Sequence, residues 1–146
     1  MPTILIIDDE PTVRQLLRDI LCDEGFAVIG VGDGVEGLVA LRTVQVDLIL
    51  CDIMMPRMNG IAFATRLRTD PRNSSIPLIM LSATPAENSL PATMYTAFLE
   101  KPFAVPALLN KVEQALDQAG SAGALPNAGG VMPRLEEILR HPVVSA

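Results

Sequence analysis

The sequence predicts an α/β domain, with a doubly wound parallel sheet and helices on both of its faces. Two observations carry this prediction. Short apolar runs recur between residues 3 and 100, and amphipathic stretches with helical spacing separate them. Strands that are apolar throughout are buried on both faces, as in parallel sheets whose strands are joined by crossover helices.

Five strands are predicted from the short apolar runs, and four helices from apolar residues spaced three and four apart. The strands cover residues 3–7, 27–31, 47–51, 76–81 and 97–100. The helices cover residues 11–25, 34–42, 60–68 and 105–118. Pro11 suits the first turn of the first helix, and Gly25 suits the stop at its C-terminal end.

The helical spacing also predicts which side chains lie on one apolar face. On the first helix these are Val13, Leu16, Leu17, Ile20 and Leu21. On the second they are Val35, Leu38 and Val39, and on the last Leu108, Leu109, Val112 and Leu116.

The chain changes character after residue 118, where the predicted domain 1–118 ends. Residues 119–133 are rich in Ala, Gly and Pro, which is typical of a flexible linker. In the tail 134–146, Leu135, Ile138 and Leu139 share one face of a candidate amphipathic helix. A helix this short is unstable alone, so the tail either frays or docks on its own domain or on a partner.

Composition and charge exclude several function classes. The 146 residues carry a formal net charge of −6, and no basic stripe typical of nucleic-acid binding is found. Cys22 and Cys51 form no CxxC pattern and are interpreted as small buried side chains in a reducing compartment. Because no signal-peptide or membrane-span pattern is found, we expect a cytoplasmic protein that contacts neither nucleic acid nor membrane.

Polar side chains follow four of the predicted strands. They are Asp8 and Asp9 after the first strand, Asp52 after the third, Ser82 after the fourth and Lys101 after the fifth. Ligands of open α/β sheets bind at this edge, so these groups are expected to converge. Clustered carboxylates repel one another unless a cation offsets their charge, and hard oxygen ligands suit Mg²⁺. A carboxylate nucleophile beside Mg²⁺, a hydroxyl and an ammonium group suits phosphoryl transfer.

The motifs that carry these residues resemble the receiver domains of two-component response regulators. They are "IIDDE", "DLILCDIMMPRMNG", "LSA" and "KPF", and the resemblance covers residues 3 to about 118. It implies the strand order 2-1-3-4-5. It also implies that Asp52 is the phospho-acceptor, and that Asp8, Asp9, Asp52 and the main-chain carbonyl of Met54 bind Mg²⁺.

The same resemblance implies two further roles and the conformation of one peptide bond. Lys101 and Ser82 are expected to assist phosphoryl transfer, while Ser82 and Phe98 are expected to form the conformational switch. The Lys101–Pro102 peptide bond is expected to be cis, which X–Pro bonds tolerate. Pro56 and Gly60 are expected to shape the loop after Asp52, where glycine can take a positive φ.

The segment between Ser82 and Lys101 departs from the family pattern. It is about three residues shorter than the same segment usually is in receiver domains, and three residues are nearly one helical turn. It also contains Pro85 and Pro91, and an interior proline kinks or breaks a helix. The fourth helix, which the family places here, is therefore predicted to be short, displaced or partly irregular. We expect signalling through an altered surface, or compensation by the tail.

The sequence thus predicts a single-domain response regulator. A histidine kinase or histidine phosphotransfer protein would supply the phosphoryl group, and an unknown output protein would read the conformational change. The chain would catalyse only its own phosphorylation and dephosphorylation, and dimerisation stays open. One alternative is a receiver-like module that binds without phosphorylation. The other is a Mg²⁺-dependent phosphatase, although that class has a second Asp where this chain has Met54.

Overall fold

Five parallel strands form a single sheet in the computed structural model, which describes residues 1–83 and 91–124. The strands are β1 (Thr3–Ile7), β2 (Ala27–Val31), β3 (Leu48–Asp52), β4 (Leu78–Ser82) and β5 (Ala97–Glu100). Their spatial order is β2-β1-β3-β4-β5, and every neighbouring pair is parallel. The predicted fold class and strand order are both confirmed.

Four α-helices lie within the described residues. They are α1 (Pro11–Asp23), α2 (Gly34–Thr43), α3 (Gly60–Thr69) and α4 (Val105–Ala124). Pro11 occupies the first turn of α1, as predicted, and Gly25 follows the helix with φ 93°. The side chain of Asp33 caps α2 by accepting the Glu36 N–H at 2.9 Å. Asn59 caps α3 in the same way.

The helices pack on both faces of the sheet, as expected. Leu17 of α1 and Leu108 of α4 belong to one buried cluster, together with Ile4 and Ile6 of β1. Phe63 of α3 belongs to a second cluster with the alternate β1 residues, Leu5 and Ile7. Since successive side chains of a strand point to opposite faces, the two clusters lie on opposite sides of the sheet.

The predicted inward face of α2 is wrong for two of its three residues, since only Leu38 packs against the buried cluster. Val35 and Val39 are exposed, whereas Gly34, Gly37 and Leu41 are buried. The glycines explain the difference, because a Cβ on Gly37 would lie 2.6 Å from Ile7 Cδ1. The glycine side of the helix can therefore approach the sheet more closely than a valine side could. Leu16 of α1 is likewise exposed, beside the buried Leu17 and Leu21.

Several predictions concern residues near or beyond the ends of the described segments. Helix α4 continues past Gln118 to Ala124, so the first residues of the predicted linker 119–133 are helical. The remainder of that linker and the tail 134–146 lie outside the described residues. The predicted irregular fourth helix falls largely on residues 84–90, which also lie outside them. The described end of that connection is a 3₁₀ turn, Ala92–Met94.

Candidate functional site

Three carboxylates meet at the carboxyl edge of the sheet. Asp8 follows β1 and Asp52 ends β3; because these strands are neighbours, the two side chains are brought together. Asp8 is fully buried, Asp52 is 6% exposed and Asp9 is exposed. One carboxylate oxygen from each of the three lies within 4.8 Å of the others. The predicted convergence of the acidic residues is thus present in the structure.

The ammonium group of Lys101 lies between the two buried carboxylates. Its Nζ is 3.0 Å from Asp8 Oδ2 and 3.5 Å from Asp52 Oδ1. The Lys101 N–H donates to the carbonyl of Ser82 at 2.7 Å, which fixes the residue against the end of β4. The peptide bond to Pro102 is cis, as the resemblance implied. Lys101 therefore offsets part of the charge of the acidic cluster.

The buried environment changes the acidity of the cluster. Burial raises the pKa of Asp52 from 3.8 to about 6; the Lys101 charge opposes this rise and the Asp8 charge adds to it. Partial burial alone would lower the pKa of Lys101, but the hydrogen bond and charge of Asp8, together with Asp52, raise it overall. Lys101 is thus held as a cation beside a carboxylate that is costly to ionise.

The other predicted site residues lie on or directly after the neighbouring strands. Ser82 ends β4 and is fully buried. Phe98 lies on β5 opposite Met80. It is half-buried against the apolar cluster that contains Phe63, on the side of the sheet covered by α2 and α3. Met54 lies two residues beyond Asp52, and its side chain is 60% exposed.

Gly60 shapes the segment after Asp52 for a different reason from the one predicted. Its φ is not positive; the left-handed residue of this segment is Arg57, with φ 63°. Instead, a Cβ on Gly60 would collide with the main-chain oxygen of Asp52 and would lie 2.8 Å from the Ile53 Cα. Glycine is therefore required here for close approach of α3 to the end of β3.

Sequence reasoning missed Arg14, which supports the acidic turn. Its Nη1 donates to the main-chain carbonyl of Asp8 at 2.6 Å. The stem of the side chain covers Gly30, where an added Cβ would lie 3.0 Å from Arg14 Cγ. The available signal was an arginine in the first turn of the helix that directly follows the acidic residues, beside a glycine in the neighbouring strand.

The donor set fits a hard divalent cation. Carboxylate oxygens are the type of protein ligand that Mg²⁺ accepts while retaining water, and three of them lie within 4.8 Å of one another. The exposed Asp9 leaves the cluster accessible from solvent, while Asp8 and Asp52 form its buried side. The same three acidic residues were the carboxylate ligands expected from the sequence.

Comparison with known proteins gives one family. Residues 4–113 match the family model of the response regulator receiver domain. The DNA-binding response regulator MtrA of Mycolicibacterium smegmatis is 42% identical over 80 residues, which are 55% of this chain and 34% of MtrA. The transcriptional regulator RpaA of Synechocystis is 36% identical over 119 residues, 80% of this chain and 49% of RpaA. The chain thus spans between a third and a half of the length of these relatives.

Solved structures show the same fold. The response regulator TrrA of Thermotoga maritima, in complex with Mg²⁺-BeF, superposes with a TM-score of 0.73 at 29% identity, covering 79% of this chain and 99% of TrrA. A chemotaxis response regulator of Vibrio cholerae gives a TM-score of 0.74 at 29% identity, covering 79% of this chain and 98% of that chain. Among the described residues, none of the helices has the length and apolar character needed to cross a membrane.

Proposed function

Because the chain belongs to the response regulator receiver domain family, we propose that Asp52 accepts a phosphoryl group from a histidine kinase or histidine phosphotransfer protein. The observation that carries the proposal is the position of Lys101, whose ammonium group lies within 3.5 Å of both Asp8 and Asp52. A cation held beside a nearly buried carboxylate is the arrangement that transfer of an anionic group to that carboxylate requires.

Asp52 is the nucleophile of the proposed reaction. An oxygen of its carboxylate forms a bond to phosphorus as the bond between phosphorus and the donor imidazole nitrogen breaks, and that nitrogen keeps the electron pair. With a pKa of about 6, the Asp52 carboxyl is mostly ionised at pH 7 and can therefore attack. Because Asp52 is only 6% exposed, few water molecules solvate the ionised oxygen, which keeps it reactive.

The residues around Asp52 stabilise the transferred group. Lys101 holds a positive charge where negative charge develops on the phosphoryl oxygens, and Asp8 orients it through the 3.0 Å contact. Ser82 ends the adjacent strand β4, and its hydroxyl would donate a hydrogen bond to a phosphoryl oxygen. Mg²⁺, when held by Asp8, Asp9, Asp52 and the Met54 carbonyl, would neutralise further charge on these oxygens.

The signal would leave the site through β4 and β5. Ser82 and Glu100 are paired in register at the end of these strands, and Phe98 lies two residues before Glu100 on β5. A hydrogen bond from the Ser82 hydroxyl to the phosphoryl group would shift the end of β4. Phe98, which is half-buried and packed on the second cluster, can respond by changing its side-chain position. A partner protein would read the changed surface.

The proposal has a direct test on the intact chain. The protein is incubated with acetyl phosphate, with and without Mg²⁺, and its mass is measured for the wild type and for Asp52→Ala. We expect one added phosphoryl group on the wild type in Mg²⁺, and none on Asp52→Ala. If the wild type gains no phosphoryl group and fluoroberyllate does not bind either, the phosphorylation-independent module is the better account. Continuous release of inorganic phosphate from many small phosphate esters would instead favour the phosphatase.

A further inference from the structure

Residues 53–59 connect the strand of the phospho-acceptor to α3, and the two ends of this segment are fixed by main-chain hydrogen bonds. The Ile53 N–H donates to the Leu81 carbonyl at 2.9 Å, and the Gly60 N–H donates to the Ile53 carbonyl at 2.8 Å. The two ends of the segment therefore lie next to each other. The position of its tip, residues 54–58, depends on what the tip itself contacts.

The tip contacts the first residues of α2. The guanidinium group of Arg57 forms an ion pair with the carboxylate of Asp33. The next residue, Met58, packs on Gly34 so closely that a Cβ there would lie 2.8 Å from Met58 Cγ. Arg57 has φ 63°, a left-handed conformation that is strained for any residue with a Cβ. Such a conformation persists where neighbouring contacts hold it.

Asp33 is a rigid anchor for this contact. Its side chain is fully buried, and Oδ1 accepts the Glu36 N–H at 2.9 Å at the start of α2. Its other oxygen, Oδ2, is paired with the guanidinium group of Arg57. A buried carboxylate needs such a counter-charge, so the ion pair is favoured although the Arg57 side chain is 68% exposed.

We propose that Asp33 and Arg57 act as positioning residues, whose ion pair holds the tip 54–58 beside the acidic cluster and so improves Mg²⁺ binding. The proposal rests on the proposed function, because it treats the main-chain carbonyl of Met54 as a metal ligand. Met54 lies three residues before Arg57 in the same short tip. Ligands held in place before binding bind a metal more tightly than ligands that must first be ordered.

Substitution of Arg57 separates positioning from simple electrostatics. Removal of a positive charge near an acidic cluster should strengthen the binding of a divalent cation by Coulomb's law. Loss of a positioning contact should weaken it, by about tenfold if the pair acts like other partners that orient metal ligands. The two explanations therefore predict opposite changes in the dissociation constant of Mg²⁺ for Arg57→Gln.

The first measurement is calorimetric titration of the unphosphorylated variants with Mg²⁺. We expect Arg57→Gln and Asp33→Asn each to weaken Mg²⁺ binding by about tenfold. The variant that carries both substitutions should bind Mg²⁺ no more weakly than either single variant. Arg57→Lys should keep part of the affinity that Arg57→Gln loses. Asparagine keeps the cap of α2, so Asp33→Asn should fold. Arg42→Gln is the matched control, because it removes an exposed arginine from the opposite end of α2. Unchanged or tighter binding by Arg57→Gln would overturn the proposal.

A second variant excludes general loss of stability as the cause. Asp33→Asn combined with Arg57→Gly leaves neither an unpaired buried charge nor a strained left-handed side chain. We expect this double variant to unfold at a urea concentration no lower than Asp33→Asn alone, and yet to bind Mg²⁺ about tenfold more weakly than the wild type. Wild-type affinity in this variant would show that the pair does not position the site.

Hydrogen exchange of the metal-free protein tests the same contact without the proposed function. We expect faster exchange across residues 53–60 in Arg57→Gln, at the Gly60 amide above all, and unchanged exchange in β1. If the wild type itself binds no Mg²⁺, the proposed function fails, and the exchange result alone then decides whether the pair orders the tip. Equal exchange in the wild type and Arg57→Gln would refute the positioning role.

Discussion

The ionised Asp52 carboxylate destabilises the metal-free protein, so Asp52→Asn should stabilise it. Asn has the shape of the protonated acid but cannot ionise. The pKa of Asp52 is raised from 3.8 to about 6 by burial, with the Lys101 charge opposing and the Asp8 charge adding to the rise. At about 1.4 kcal/mol for each tenfold change in an ionisation constant, this rise corresponds to about 3 kcal/mol.

The pH dependence of this effect has a definite sign. Between pH 3.8 and about 6 the folded protein binds more protons at Asp52 than the unfolded chain does. The free energy of unfolding of the wild type therefore falls as the pH rises through this window. The full cost is present above pH 6 and absent below pH 3.8. The stability advantage of Asp52→Asn should be about 3 kcal/mol at pH 8 and about half of that at pH 5.

Urea unfolding followed by far-UV circular dichroism is the suitable assay, because the chain contains no tryptophan. Both proteins are measured in EDTA at pH 5 and pH 8. Asp23→Asn, which removes an exposed carboxylate at the end of α1, is the control and should change stability by less than about 0.5 kcal/mol. An Asp52→Asn variant no more stable than the wild type at pH 8, or equally more stable at both pH values, would refute this prediction.

Three further predictions concern the same edge of the sheet. Mg²⁺ at one hundred times its dissociation constant should raise the free energy of unfolding of the wild type by about 2.7 kcal/mol, and that of Asp8→Asn by much less, in urea titrations. Lys101→Ala should lower it by about 2 kcal/mol in EDTA, because Asp8 loses its counter-charge; an unchanged midpoint would contradict this. Gly60→Ala should lower the free energy of unfolding by about 2–3 kcal/mol, because the added Cβ meets the Asp52 backbone. Gly25→Ala, which is strained only by its φ of 93°, should lower it by about 1 kcal/mol in the same measurement.

The strand pattern carried most of the information about the site. Short apolar runs predict buried parallel strands, and the residues that follow such strands must share one edge. The convergence of Asp8, Asp52 and Lys101 could therefore be predicted from the sequence. β3 ends at Asp52, one residue later than predicted. Asp52 still lies at the carboxyl edge of the sheet, because a shift of one residue in the strand end does not move its side chain to another edge.

The orientation of α2 and the support of the loops could not be predicted from the same pattern. Apolar spacing favoured Val35 and Val39 as the inward residues of α2, yet the glycine side packs inward because it allows a closer approach. The requirement for Gly60 came from contact with the backbone of β3, which local sequence does not encode. The Asp33–Arg57 pair joins two loops that are distant in the sequence, so no periodicity could have indicated it.

The identity of the phosphorylated residue is the most direct test of the account. The protein is treated with acetyl phosphate in Mg²⁺, reduced with borohydride, digested and sequenced by mass spectrometry. Borohydride converts an aspartyl phosphate to homoserine, so the modified position is recorded in the peptide. We expect homoserine at position 52 in the wild type, and no homoserine when Mg²⁺ is omitted. Homoserine at position 8 or 9, or an intact Asp52 in protein that carries a phosphoryl group, would contradict it.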